Sequence, residues 1–124
     1  MTDTTPSPSD PVPTALITEW LPLPDIAEAF GIEVTRVRQQ VRERLLLAVR
    51  RDGILYVPAA FVDGDHIIKG LPGVLTLLQD AGYSDDEALT WLFTPEESLP
   101  GAPVDALREN RGTEVKRRAQ ALGF

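Results

Sequence analysis

The chain has 124 residues, 43% hydrophobic and 25% charged, with no cysteine and a formal net charge of −7. That length supports one modest core, and the lack of cysteine excludes disulfide frameworks, thiol catalysis and cysteine-based zinc sites. No run approaches the ~18 apolar residues of a membrane-spanning helix, and no signal-peptide pattern opens the chain, so a soluble cytoplasmic protein is expected.

Residues 1–14, MTDTTPSPSDPVPT, hold four prolines and little besides Val12 to bury. Such a segment cannot offset its ordering entropy and reads as a disordered tail, with Thr2, Thr4, Thr5, Ser7, Ser9 and Thr14 as exposed phosphoacceptors. A solvated tail without a role is the plainer reading. Order is expected from about Leu16, with Trp20 and Leu21 as first core anchors. Pro24 suits a first helical turn, Ile26, Ala27 and Phe30 share one face, and Gly31 is placed to close the helix.

A second helix is expected over about 35–44, with Thr35 as its N-cap. After Leu46 the pattern becomes strand-like. AVRR and ILYVP flank Asp52-Gly53, a strong hairpin signal. FVDGDHIIKG suggests a shorter extended pair turning at residues 63–65. Helical patterning resumes at Leu71: LPGVLTLLQDAG runs from Pro72 to Gly82, with Val74, Leu77 and Leu78 spaced for burial. Ser84 and Glu87 form a capping box opening SDDEALTWLFT, where Leu89, Trp91, Leu92 and Phe93 supply apolar bulk. PEESLPGAP reads as a loop, then VDALREN and TEVKRRAQAL as two short helices separated by Gly112.

Charge is distributed unevenly. Segment 34–51 carries six of the twelve basic residues and a single acid, Glu43, for a local +5. Segment 104–124 carries a local +2, so the remainder sums to −14. Exposed charges more than about 8–10 Å apart are largely screened, so one basic face can meet a polyanion while the opposite face stays acidic.

On a helical wheel, Val34, Val37, Val41 and Leu45 fall within about 80° and must face the core. Arg36, Gln39, Gln40 and Glu43 lie opposite, with Thr35 and Arg42 on a flank of that outer face. Arg38 and Arg44 sit closer to the apolar stripe. Arginine can pair with guanine and glutamine with adenine in the major groove. Arg36, Gln39, Gln40 and Arg42 are therefore expected at base edges, with Thr35 beside them. Arg38, Arg44, Arg50 and Arg51 are expected at phosphates, which fix position without reading sequence. An amphipathic helix with solvated arginines is the plain alternative.

A short helix, a glycine turn, a basic second helix and a hairpin follow one another in the order that a winged helix-turn-helix requires. The expected fold class is mainly α with a small β-hairpin: a winged helix-turn-helix over 15–69, then a helical region over 70–124. The recognition helix would be about 35–44 and the wing about 47–58.

LPDIAEAFGIEVTRVRQQVRERLLLAVRRDGILYVPAAF resembles the winged helix-turn-helix of excisionase-like and MerR-like proteins. With the segment from Leu71 onward, the chain is similar to a family of small actinobacterial DNA-binding proteins, one of which is a substrate of a membrane Ser/Thr kinase. The similarity spans roughly 20–124. It implies a DNA-binding front half, a helical second half and phosphorylation of tail threonines such as Thr4 or Thr5 by a Ser/Thr protein kinase. Trp91-Leu92, Pro95, Leu99, Gly101, Pro103 and Asp105-Ala106-Leu107 also resemble the signature of the helical domain in Xre/MbcA/ParS-type antitoxins. There it packs on a toxin; here core packing plus a proline-started helix is the plainer reading.

Catalytic patterns are lacking. His66, the one histidine, lies beside Asp63 and Asp65 in an expected solvated turn, and no nucleophile triad, phosphate loop or metal-ligand spacing occurs. The expectation is a non-enzymatic protein, without cofactor or metal, that binds double-stranded DNA as a transcriptional regulator or nucleoid-associated factor. The alternative is an interaction module that binds a protein partner through its C-terminal helices.

Overall fold

The computed structural model describes residues 16–99 and 101–123. The expected tail, with Thr4 and Thr5, lies outside them. The first element is a short strand, β1 (Trp20–Pro22), which runs directly into helix α1 (Leu23–Phe30). Helix α2 (Val34–Arg42) packs on α1, and its Val37 is fully buried. Strands β2 (Val49–Arg51) and β3 (Ile54–Pro58) follow, and the sheet order is β1-β3-β2, antiparallel throughout.

Asp52 and Gly53 both take left-handed backbone, φ 52° and 80°. Two left-handed residues in succession make the primed turn that matches strand twist, so the Asp-Gly signal and the hairpin agree. β1 was not foreseen. It has only three residues, ends in proline, and pairs Trp20 with Pro58 and Leu21 with Val57, far along the chain.

Four helix ends share one closure. After α1, Gly31 is left-handed (φ 68°) and the Ile32 N–H reaches the Ala27 carbonyl at 3.0 Å. After α2, Arg44 takes that position (φ 59°), its N–H bonding Val41 O at 3.0 Å while Leu45 N–H bonds Gln40 O at 2.9 Å. Gly82 (φ 92°) closes the third helix and Asn110 (φ 67°) the fifth in the same manner. Each reversal satisfies carbonyls that a helix end would otherwise leave bare.

Helix α2 therefore differs from its expected limits at both ends. Glu33, extended at φ −71° and ψ 149°, precedes it with no side-chain cap, and Thr35 lies inside the first turn. Regular helix stops at Arg42 because Arg44 reverses the backbone.

Beyond the sheet, a 3-10 turn (Ala59–Phe61) leads to β4 (Val62–Asp63) and β5 (His66–Ile67), an antiparallel pair. Helices α3 (Leu71–Asp80), α4 (Asp85–Phe93), α5 (Pro103–Arg108) and α6 (Gly112–Ala121) complete the described chain. Gly112 does not separate the last two helices; it begins α6, and Asn110 makes the reversal. The Ser84–Glu87 capping box is formed, with reciprocal bonds of 3.2 and 2.8 Å.

One continuous core joins both halves, from Ile26, Leu46 and Phe61 to Leu75, Leu78 and Leu92. Phe61 and Phe93 meet across it with ring centroids 5.7 Å apart. Arg108 on α5 donates through Nη1 to the carbonyls of Ala60 (2.9 Å) and Val62 (3.0 Å), tying the second half to the turn below the sheet. Among the described residues no helix is long and apolar enough to cross a membrane.

Candidate nucleic-acid interface

Packing of Val37 against α1 decides which side of α2 meets solvent. Thr35, Arg36, Arg38, Gln39 and Arg42 are exposed, Gln40 is half-buried, and Val34 and Val41 flank the buried Val37. The arginines and glutamines of α2 thus form one polar face on a helix of 9 residues. Arg36, Gln39, Gln40, Glu43 and Leu45 line an open groove along it.

Within that groove Gln39 Nε2 donates to Glu43 Oε2 at 3.0 Å. The spacing of four residues brings the two side chains together on one helical face. Gln40 Oε1 is buried and has no hydrogen-bond partner.

The hairpin supplies a second basic element. Arg50 is exposed and its Nη1 donates to Gly53 O at 3.0 Å, bridging the turn. Arg51 is half-buried, with its guanidinium carbon 5.9 Å from the centroid of the Trp20 ring. That stacking suits a delocalised cation over an aromatic face, and it depends on β1 lying beside β3.

Arg44 departs from the phosphate-contacting place expected for it. Its position just past α2 turns the side chain to the second half of the molecule, where Nη1 pairs with Asp85 in the first turn of α4. Its Nε and Nη2 are buried without a hydrogen-bond partner. The wheel extended a regular helix to residue 45 and so could not show this.

Elsewhere, His66 is exposed and contacts Asp65 at 3.1 Å and Asp63 at 3.5 Å. The His66 hydrogen bond holds the Asp65 carboxyl below its ordinary range. Among the described residues no group of three or more His, Cys, Asp or Glu side chains is arranged to hold a metal ion.

Two family models match the chain: the winged helix-turn-helix domain of the DNA-binding protein Rv2175c, over residues 6–62, and the Rv2175c C-terminal domain of unknown function, over residues 68–123. The DNA-binding protein Rv2175c of Mycobacterium tuberculosis (strain ATCC 25618 / H37Rv) is 44% identical, over 82% of this chain and 79% of that protein. The chain belongs to the Rv2175c family. An NMR structure of Rv2175c has the same fold, with a TM-score of 0.76 at 42% identity over 86% of this chain and 82% of that one. A winged helix-turn-helix followed by a helical region is thus the architecture of this Rv2175c-family chain. The first match begins at residue 6, inside the segment that the motifs set apart as a tail.

In the second Rv2175c domain, the apolar residues that resemble the antitoxin signature mostly turn inward. Leu92, Leu99, Pro103, Ala106 and Leu107 are buried in the chain's own core, while Trp91 and Gly101 are half-buried and Pro95 and Asp105 are exposed. Pro103 opens α5, and Asp105 caps it by accepting from Ala102 N–H at 3.0 Å. Core packing accounts for the buried members of that spacing.

Proposed function

We propose that this protein binds double-stranded DNA, with α2 in the major groove and the β2–β3 hairpin along the sugar-phosphate backbone. The observation that carries this reading is the exposed Arg/Gln face of α2, set beside a hairpin with Arg50, in a chain of net charge −7. An acidic chain that gathers its arginines on one helix face has arranged a local attraction for a polyanion. The family relationship supports the same conclusion, because the relative is named for DNA binding.

Arg36, Gln39 and Arg42 are the base-facing set, with Thr35 beside them; Gln40, whose amide oxygen is buried, can offer bases only its Nε2; and Arg38, Arg50 and Arg51 contact phosphates. Arg44 is left out, since Asp85 holds it. A cytoplasmic regulator or nucleoid-associated factor is the role that this chemistry suits. Phosphorylation of tail residues such as Thr4 or Thr5 by a Ser/Thr kinase would add about −1.5 to −2 charge per site and weaken binding wherever the tail lies near the basic face.

The test is a double charge reversal, Arg36→Glu with Arg42→Glu, measured on mixed-sequence duplex at about 50 mM salt. Loss of binding with an unchanged thermal melt is the expected result. Unchanged binding would remove α2 from the interface.

A second reading rests on the outer face of α4, where the half-buried rings of Tyr83 and Trp91 line an open groove with Thr90 and Thr94. A protein partner could seat there. Stoichiometric co-purification of a partner with the full chain, abolished by Trp91→Ala, would favour it.

A further inference from the structure

Glu43 is the single acid of segment 34–51, and it stands at the end of α2 on the face proposed to meet DNA. A carboxylate there repels phosphate unless a donor on the nucleic acid answers it. Two observations show how it is prepared for one. Gln39 Nε2 donates to Glu43 Oε2 at 3.0 Å, which fixes both side chains on the solvent side of the helix. The same bond commits one amide hydrogen of Gln39 to Glu43, leaving the Gln39 carbonyl oxygen and the second Glu43 oxygen as acceptors in the groove beside Arg36. In the major groove, the exocyclic amine of cytosine is the donor that a carboxylate accepts from, while arginine pairs with guanine.

Resting on the DNA-binding reading above, we propose that Glu43, positioned by Gln39, reads cytosine N4, and that Arg36 and Glu43 together set a sequence preference. Seven residues separate Arg36 from Glu43, about 10 Å along a helix at 1.5 Å per residue. That span covers only a few base pairs of a major groove. The preferred duplex therefore carries a guanine and a cytosine a few steps apart, read from opposite ends of one helix face.

The experiment is selection from a randomised duplex pool with the full-length wild type, Glu43→Gln and Glu43→Ala. Expected is enrichment of cytosine at one position by wild type and a shift to adenine there by Glu43→Gln, since glutamine pairs with adenine. Glu43→Ala should lose preference at that position, with discrimination falling on the order of tenfold. Both variants should bind mixed-sequence duplex at least as tightly as wild type, because each removes a negative charge. Retained duplex with the same base enriched by all three proteins, or with none enriched by wild type, overturns the assignment to Glu43 and leaves DNA binding standing. Failure of wild type to retain any duplex overturns the DNA-binding reading itself, and this proposal with it.

Discussion

Arg44, one residue past the C-cap of α2, forms an ion pair with Asp85 in the first turn of α4. It is a direct side-chain bond from the end of the basic helix to the second half of the molecule. The Arg44 side chain is 24% exposed and that of Asp85 56%, so solvent screens the pair and its worth is about 0.5–1 kcal/mol. Asp85→Ala should lower stability by about that amount. Denaturant melts of wild type and variant check it, and recovery in the swapped pair Arg44→Asp with Asp85→Arg would show that charge, not packing, is responsible.

Arg44 also carries backbone strain, at φ 59°. Both Arg44→Ala and Arg44→Gly lose the ion pair, but only glycine accepts the left-handed conformation without a Cβ penalty. Arg44→Gly should therefore be more stable than Arg44→Ala by about 1 kcal/mol. Equal stability of the two would mean that the helix end relaxes when the pair is lost.

The hairpin turn gives a cleaner case. A Cβ on Gly53 would meet nothing within 4 Å, so only its φ of 80° opposes a side chain. Gly53→Ala should cost about 1–2 kcal/mol from backbone strain alone. The amide exchange of Leu55 and Tyr56 should accelerate while that of α3 stays slow.

Arg108→Ala removes a charged donor from two carbonyls, those of Ala60 and Val62. The arginine is itself exposed, so the expected loss is about 1–2 kcal/mol, at the low end for hydrogen bonds to charged groups. Arg108→Lys should recover less than half of it, because a point-like ammonium does not reproduce the guanidinium geometry. Thermal melts of the three proteins decide the matter.

Asp86 supplies a pH dependence. Burial first, then the neighbouring charges of Asp85 and Glu87, raise its pKa above the ordinary 3.8. A raised folded-state pKa means the folded protein holds this proton more tightly than the unfolded chain. The group therefore weighs against folding once pH has risen above its folded pKa, and that penalty is relieved as pH falls through the carboxylate range. Asp86→Asn should melt slightly higher than wild type at neutral pH, with the difference closing in acid. A difference that instead widens in acid would contradict the sign.

Local chemistry made much of the fold legible. Gly31, Asp52-Gly53 and the Ser84–Glu87 box each act within a few residues of themselves, and each forms as its residue types dictate. β1 could not be read in the same way. Its three residues have meaning only through pairing with β3, more than thirty residues on. Arg44 was missed because left-handed closures are expected at glycine or asparagine, and an arginine gives no such sign; Asn110, a residue type that adopts this conformation readily, was within reach of sequence.

In the candidate interface, the wheel separated the outer face of α2 from its core stripe because Val37 fixes the rotation of the helix. It failed where a tertiary partner intervenes, Asp85 for Arg44. The Gln39–Glu43 bond, by contrast, was within reach of sequence, since i,i+4 polar pairs meet on any helix.

The Phe61–Phe93 contact and the Arg108 bonds have a consequence for inheritance. Two segments that match separate family models share one uninterrupted core. Neither is a portable cassette. A recombination event that transplanted the front half alone would carry the arginines of α2 but expose the underside of Phe61. Exchange between relatives should preserve both halves together, as one heritable unit rather than a reader with an appendage.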